Sequence, residues 1–386
     1  MAGIYLHIPF CRQACHYCNF HFSTSLQNKN EFVPALLKEA ELRKEYIGGQ
    51  TVDTVYFGGG TPSLLDAAEL EDILRKLREL FPIRNDAELT LEANPDDITV
   101  EKLRAWKKAG INRLSIGIQS FFEEDLLWMH RAHNSSQAVE SLLMARAEGF
   151  DNISADLIYG GPGLSDEKWK ENVSRLIGLG IPHLSCYALT VEPKTALEKL
   201  IRLKKKAGTD PENQARQFLL LTEWMAAAGY EHYEISNFAV PGKRSRHNSS
   251  YWKGDPYLGL GPSAHSFDGD SRQWNISSNV RYIELIASMQ SPADQGDGLF
   301  EKEILSPVQR LNEYIMTSLR TAEGCNLEYV SEKFGREARL EIQKNGEKYI
   351  RSGTLAIRDS RLVLTKKGLF LADGIAASLF FLPDGL

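Results

Sequence analysis

The sequence predicts an α/β fold: a partial TIM-like (βα)6 barrel followed by a smaller, mostly helical C-terminal region. Three observations point there. Six short β-rich runs alternate with amphipathic helical stretches as far as residue 190, the pattern of a parallel sheet with right-handed crossovers. Polar and special residues recur just after the strand ends, where a barrel gathers them at one mouth. An open doubly wound sheet, the competing architecture, has a single switch-point crevice and would not need all of them. After residue 190 the rhythm changes.

The candidate strands are 3–8 (GIYLHI), 52–57 (VDTVYF), 87–92 (AELTLE), 112–118 (NRLSIGI), 153–159 (ISADLIY) and 183–189 (HLSCYAL). Between them amphipathic stretches lie near 31–47, 66–80, 99–109, 135–148 and 165–178. Ile73, Leu74, Leu77 and Leu80 keep the i, i+3, i+4, i+7 spacing of one buried face. Asp66 and Ser165 suit helix N-caps, and Gly110 and Gly149 suit helix ends. Beyond 190 comes a Lys-rich polar stretch at 198–206, a helix at about 211–228, a Gly- and aromatic-rich segment from Tyr230 to Phe267 and a loop at 292–298. From Ser306 we expect two or three helices, a hairpin in LAIRDSRLVL and a last helix, a winged-helix-like arrangement. Residues 306–386 carry 12 Lys/Arg against 10 Asp/Glu, a balance that does not suit DNA. The expected division is 1–235 for the barrel domain and 236–386 for the C-terminal region.

Composition narrows the function. Of 386 residues, 42% are hydrophobic and 25% charged, so the chain is globular and not disordered. No apolar run is long enough for a transmembrane helix. The opening MAGIYLHIPF lacks the basic and long apolar regions of a signal peptide, so we expect a cytoplasmic protein. The net charge of −6 argues against a general nucleic-acid binder. There are five cysteines, an odd number, and Cys11, Cys15 and Cys18 lie within eight residues. In a reducing compartment such a cluster reads as metal-binding or redox and not as a disulfide framework. Cys186 and Cys325 stand alone.

Cys11-x3-Cys15-x2-Cys18 falls on a loop after the first strand, where three thiolates can converge on one inorganic centre. Three ligands on a [4Fe–4S] cubane leave one iron open, since the general rule is four cysteines. A Cys3His zinc site completed by His16 or His21 competes, as do three unpaired thiols. Other residues stand out on their own. Gly58-Gly59-Gly60-Thr61-Pro62 lets backbone approach a ligand, but it lacks the Lys of a P-loop and can be a plain turn. Glu92, at a strand end in LEANP, can pair with an ammonium or ribose hydroxyls, or be a solvated loop acid. Asp156 interrupts an apolar run, and a buried carboxylate is costly unless paired.

The cysteine spacing, with Tyr17 before the third cysteine, in YLHIPFC…CHYCNF, resembles the signature of the radical S-adenosylmethionine (SAM) family. Within it the chain is similar to the oxygen-independent coproporphyrinogen III oxidase-like group, and closest to its heme chaperone (HemW-like) members. The resemblance implies a [4Fe–4S] cluster on Cys11, Cys15 and Cys18, with SAM on the fourth iron and one-electron cleavage to a 5′-deoxyadenosyl radical. It also implies SAM contacts at Tyr5, Tyr17, Gly59, Gly60, Thr61, Glu92, Gln119, Arg131 and Asp156. Read alone, Tyr5 would be a core-facing strand aromatic and Arg131 a surface helix residue.

Two departures separate the chain from the coproporphyrinogen dehydrogenases of that group. Their fourth cysteine position is Phe20 here, and their N-terminal extension has no counterpart before Tyr5. Arg246-His247-Asn248-Ser249-Ser250-Tyr251-Trp252 contains the His-Asn-x-x-Tyr-Trp pattern of the heme chaperones. The resemblance implies heme binding at His247, Asn248, Tyr251 and Trp252, and heme-acceptor proteins as partners, membrane respiratory enzymes among them. Histidine is the usual proximal ligand of heme iron, and Lys243, Arg244 and Arg246 could meet propionates. The plain alternative is a loop with a capping histidine and core aromatics. His265 in GPSAHSF is a second candidate ligand, more simply structural. Oxidative decarboxylation of coproporphyrinogen III is the competing function.

Overall fold

The computed structural model describes residues 2–290 and 298–382; the expected loop at 292–298 lies, except for Gly298, outside the described residues. Six parallel strands stand side by side in chain order: β1 (Ala2–Ile8), β2 (Val52–Gly59), β3 (Ile83–Ala93), β4 (Arg113–Gln119), β5 (Ile153–Tyr159) and β6 (His183–Ala188). All six sequence-based strands are there. The helices between them begin and end as their local chemistry dictates. Asp66 forms a capping box with Glu69 at the start of Ala67–Leu80, and the Ser165 hydroxyl accepts the Lys168 N–H. Gly110 closes Val100–Ala109 in the left-handed region.

The sheet does not stop after residue 190. β7 (Glu231–Glu234) and β8 (Asn237–Ala239) extend it beyond β6. On the other side β9 (Tyr257–Leu260) pairs in parallel with β1, and β10 (His265–Phe267), β11 (Ser271–Asn275) and β12 (Phe300–Ile304) follow antiparallel. The result is one twelve-stranded sheet with two open ends, an incomplete barrel. Two short helices, Glu123–Met129 and Ala196–Arg202, were not expected from periodicity; at 7 residues each, neither spans enough turns to show one. The second overlaps the start of the Lys-rich stretch.

Strand alternation divides the barrel wall into two chemistries. Ile4, Leu6 and Ile8, Val55 and Phe57, Leu89 and Leu91, and Leu114 and Ile116 join the main apolar core with the covering helices. The alternate positions meet one another instead: Tyr56 and Glu92, Glu88 and Arg113, Ser115 and Asp156, and Ser154 with His183 and Ser185 are joined by hydrogen bonds or charge contacts across the interior, while Thr54 bonds His247. A polar interior follows from period-2 patterning with the apolar face turned to the helices.

The C-terminal part has a core of its own, with Leu311, Ile315, Val330, Ile342, Leu362 and Leu379. Three helices (Pro307–Leu319, Leu327–Phe334, Arg336–Arg351) precede the hairpin of β14 (Leu355–Arg358) and β15 (Arg361–Leu364), and Ala372–Ala377 is the last helix among the described residues. β13 (Cys325–Asn326) adds to β15 and completes the expected winged-helix-like arrangement. Among the described residues no helix is long and apolar enough to cross a membrane.

Candidate functional site

The cysteine loop leaves β1 at its C-terminal end and is held in place by backbone bonds. Cys11 N–H donates to the Ser23 carbonyl at 3.0 Å, and His16 N–H to the Met129 carbonyl at 3.1 Å. Gly60, after β2, lies under it so closely that a Cβ there would sit 2.7 Å from the Phe10 carbonyl oxygen and 2.9 Å from that of Ile8. Cys11, Cys15 and Cys18 are half-buried free thiols. Burial pushes the Cys11 thiol up and the Cys18 thiol to about 11.

All three sulfurs face a cavity of about 620 Å³ at the barrel mouth, lined also by Tyr17, Gly59, Gly60, Thr61, Glu92, Gln119, Arg131 and Asp156. Arg131 is its central cation. One guanidinium nitrogen lies 3.3 Å from Cys15 Sγ and 3.4 Å from the Tyr17 hydroxyl; the other donates to Asn94 Oδ1 at 2.6 Å and the Gly117 carbonyl at 3.0 Å. Arg131 is therefore no surface helix residue. Thr61 Oγ1 donates to Cys11 Sγ at 3.5 Å and accepts from Asn94. Gln119 ends β4 at φ 63°, a left-handed conformation that non-glycine residues rarely adopt and that clusters at functional sites.

The two carboxylates are held ready to accept donors. Burial pushes Glu92 up to about 7, with the Tyr56 hydroxyl pulling against it and Asp156 adding to it. Tyr56 Oη donates to Glu92 Oε1 at 2.7 Å. Burial likewise raises Asp156 to about 6, opposed by Ser185, Arg113 and Ser115. Tyr5 does not line the cavity. Its hydroxyl lies 3.2 Å from His7 Nδ1, and its ring stacks on Tyr56 at 6.1 Å. It stands level with Tyr56 in the register of β1 and β2, below the mouth.

The donor set suits a cluster better than a single ion. Three cysteines line one cavity wall, and among the described residues no three His, Cys, Asp or Glu side chains close on one metal. Both histidines that could complete a zinc site are engaged elsewhere: His16 Nδ1 lies 3.3 Å from the Trp128 carbonyl, and His21 Nε2 2.8 Å from Asn279 Oδ1.

A second cavity, about 940 Å³, lies between the sheet and the C-terminal helices. Tyr187, Ser236 and Arg320 line both cavities. The His-Asn-x-x-Tyr-Trp segment is the helix Arg246–Lys253, and its Asn248, Tyr251 and Trp252 line the second cavity. His247 does not. It is 1% exposed, with Nδ1 2.8 Å from Thr54 Oγ1 and its ring stacked on Tyr56 at 4.9 Å, inside the barrel floor. Arg244 pairs with Glu231 and Glu323, and Arg246 donates to the Asp86 carbonyl. The cavity's arginines are Arg272, Arg310 and Arg320, which sequence reasoning missed because they are scattered singly over fifty residues.

Known proteins agree with this architecture. Residues 5–176 match the Radical SAM superfamily model, and 305–371 match the HemN C-terminal domain. Heme chaperone HemW of Mycobacterium tuberculosis (strain H37Rv) is 35% identical, over 98% of this chain and 94% of the relative. HemW of Bacillus subtilis is 32% identical over 97% and 98%. Coproporphyrinogen III oxidase HemN of Escherichia coli superposes with a TM-score of 0.82 over 98% of this chain and 90% of that one, at 23% identity, which shows the shared fold. With relatives of this identity matched over nearly their whole length, the chain belongs to the radical SAM superfamily and, within it, to the family of the heme chaperones HemW.

Proposed function

We propose that this chain is a heme chaperone: it binds heme beside a radical-SAM cofactor site and hands it to acceptor proteins. The observation that carries the reading is the second cavity. Its aromatic walls, Tyr251, Trp252, Tyr257, Phe267 and Tyr314, suit a flat macrocycle, and Arg272, Arg310 and Arg320, paired here with Glu313, Asp270, and Glu234 and Asp373, would exchange those carboxylates for its propionates. At about 940 Å³ it is at the upper end of the range for small-molecule and cofactor sites. The curated relatives matched over nearly their whole length are named heme chaperones.

In this reading Cys11, Cys15 and Cys18 hold the [4Fe–4S] cluster. Tyr17, Gly59, Gly60, Thr61, Glu92, Gln119, Arg131 and Asp156 hold SAM, whose ammonium and ribose hydroxyls suit the two carboxylates. The cluster and SAM together supply one-electron chemistry when bound. Tyr5 acts from the layer below. Residues 1–235 carry the cofactor site, and 236–386 supply the heme-facing helix and the wall opposite it. Asn248, Tyr251 and Trp252 face the heme, while His247 holds their helix from inside the barrel. The protein works in the cytoplasm and meets the membrane surface where its acceptor is a respiratory enzyme.

An anaerobic heme titration of cluster-reconstituted protein, followed by absorption, tests this beside Trp252→Ala. Saturable binding that weakens in the variant is expected. Intact protein that binds no heme saturably, and instead turns over coproporphyrinogen III, would overturn the reading in favour of the decarboxylase.

A further inference from the structure

The helix Arg246–Lys253 touches more than the second cavity. Its first turn is built into the barrel floor. Glu88, on β3, accepts the Arg246 N–H at 3.1 Å and the His247 N–H at 3.0 Å, two donors that a helix start leaves free. Glu88 is itself 3.9 Å from the buried Arg113. His247 fills the space over Gly3, where an added Cβ would stand 3.4 Å from its ring. Its ring lies on Tyr56 at 4.9 Å and 25°, and Tyr56 also stacks on Tyr5 at 26°. The Tyr56 hydroxyl ends the stack on Glu92 Oε1 at 2.7 Å. The packing there is close: a Cβ at Gly58 would meet Tyr56 at 2.9 Å, Tyr5 at 3.0 Å and Glu92 at 3.1 Å.

We infer that His247 is a positioning residue for the SAM site: its ring holds Tyr56, whose hydroxyl fixes Glu92 at the cavity wall. The helix that faces the second cavity is thereby tied to the cofactor cavity through two side chains. The inference rests on the assignment of Glu92 to SAM and needs no heme. Around Glu92 the other titratable or charged groups are Tyr5 on β1, Tyr56 on β2, Arg113 on β4, Asp156 on β5 and Tyr187 on β6.

The test is SAM binding by calorimetry to cluster-reconstituted protein, with iron content measured alongside. Tyr56→Phe keeps the ring and removes one hydrogen bond to a charged group, so SAM affinity should fall about tenfold. The pH midpoint of SAM binding should move up in that variant, because the hydroxyl favours the ionised carboxylate. His247→Ala should weaken SAM comparably at unchanged iron content, His247→Phe should restore most of the affinity by restoring the stack, and His247→Ala added to Tyr56→Phe should cost little more. His247→Phe and Tyr56→Phe carry the test if the alanine variant does not fold. Wild-type SAM affinity and pH midpoint in Tyr56→Phe would overturn the inference, as would full additivity of the two changes. Wild-type affinity in Glu92→Gln would overturn the assignment of Glu92 and the inference together, whereas loss in Glu92→Gln alone would overturn only the inference.

Discussion

Arg131 holds one guanidinium nitrogen 3.3 Å from the sulfur of Cys15, although 116 residues separate them. The same side chain donates to Asn94 and to the Gly117 carbonyl, so it joins the cluster loop, the turn after β3 and strand β4. Arg131→Met would leave those acceptors without their donor. A stability loss of about 2–4 kcal/mol is expected, one or two buried groups unsatisfied, measured by urea unfolding of the cluster-free protein. Arg131→Lys should recover little, because an ammonium cannot fork to several acceptors. An unfolding midpoint equal to wild type would remove Arg131 from the structural role.

The cysteines divide by position. Cys15→Ala should abolish iron and acid-labile sulfide in anaerobically purified protein, whereas Cys186→Ala and Cys325→Ala should keep both, since those thiols are buried in the two apolar cores. Wild type should hold about four irons per chain. Zinc without sulfide in the wild type would sink the cluster.

Gly60 makes the loop sensitive to a single methyl group. The atoms a Cβ would strike are backbone, Phe10 O and Ile8 O, which cannot rotate away. Gly60→Ala should therefore displace the loop and cut cluster incorporation by at least half. Gly178→Ala, at a helix end with nothing within 4 Å, serves as the control. Equal iron content in the two variants would contradict this.

The buried His247 also predicts a pH dependence. Burial, with the Arg113 charge, holds its imidazole down at about 3. A depressed folded-state value gives stability that is present above the unfolded value of about 6.5 and is lost as pH falls toward the folded one. Between pH 7 and pH 5 the wild type should lose about 2 kcal/mol from this residue alone, and His247→Phe should not. Urea unfolding of both proteins at the two pH values checks it; a constant gap between them would refute it. His7 and His133, lowered by burial to about 4 and 3, add the same sign to both proteins. Glu92 and Asp156, raised, oppose them in both.

The barrel strands were legible in the sequence because each carries its own signal: alternation within the strand, a cap after it, a glycine turn at its end. The mouth was legible chiefly through the resemblance, which implied nine SAM contacts, eight of which line one cavity; read alone, Arg131 was a surface residue. Tyr5, the ninth, lies below the mouth, as its reading alone as a core-facing strand aromatic had it; its depth follows from its register with β2, a property of two strands and not of one. The strands from β7 to β12 escaped because they are 3–5 residues long and draw their partners from far away, as β9 does from β1. At His247 the resemblance implied heme binding and the residues alone a capping histidine among core aromatics; the structure buries it in the barrel floor. Nothing local distinguishes a histidine that faces a ligand from one anchored inside a barrel; the distinguishing partners, Thr54 and Tyr56, lie nearly two hundred residues earlier.

The parallel pairing of β1 with β9 has a consequence for the order of assembly. β1 leaves the ribosome well before β9, so one of its edges stays unpaired until roughly 250 further residues are made, about 10–50 s at ordinary rates of synthesis. His247 enters the barrel floor only in the same late interval. The cysteine loop thus waits beside an open strand edge until β9 is made, and the cofactor cavity gains its floor late. Metal delivered after the chain is complete meets a finished cradle; metal delivered earlier meets thiols on a half-built wall.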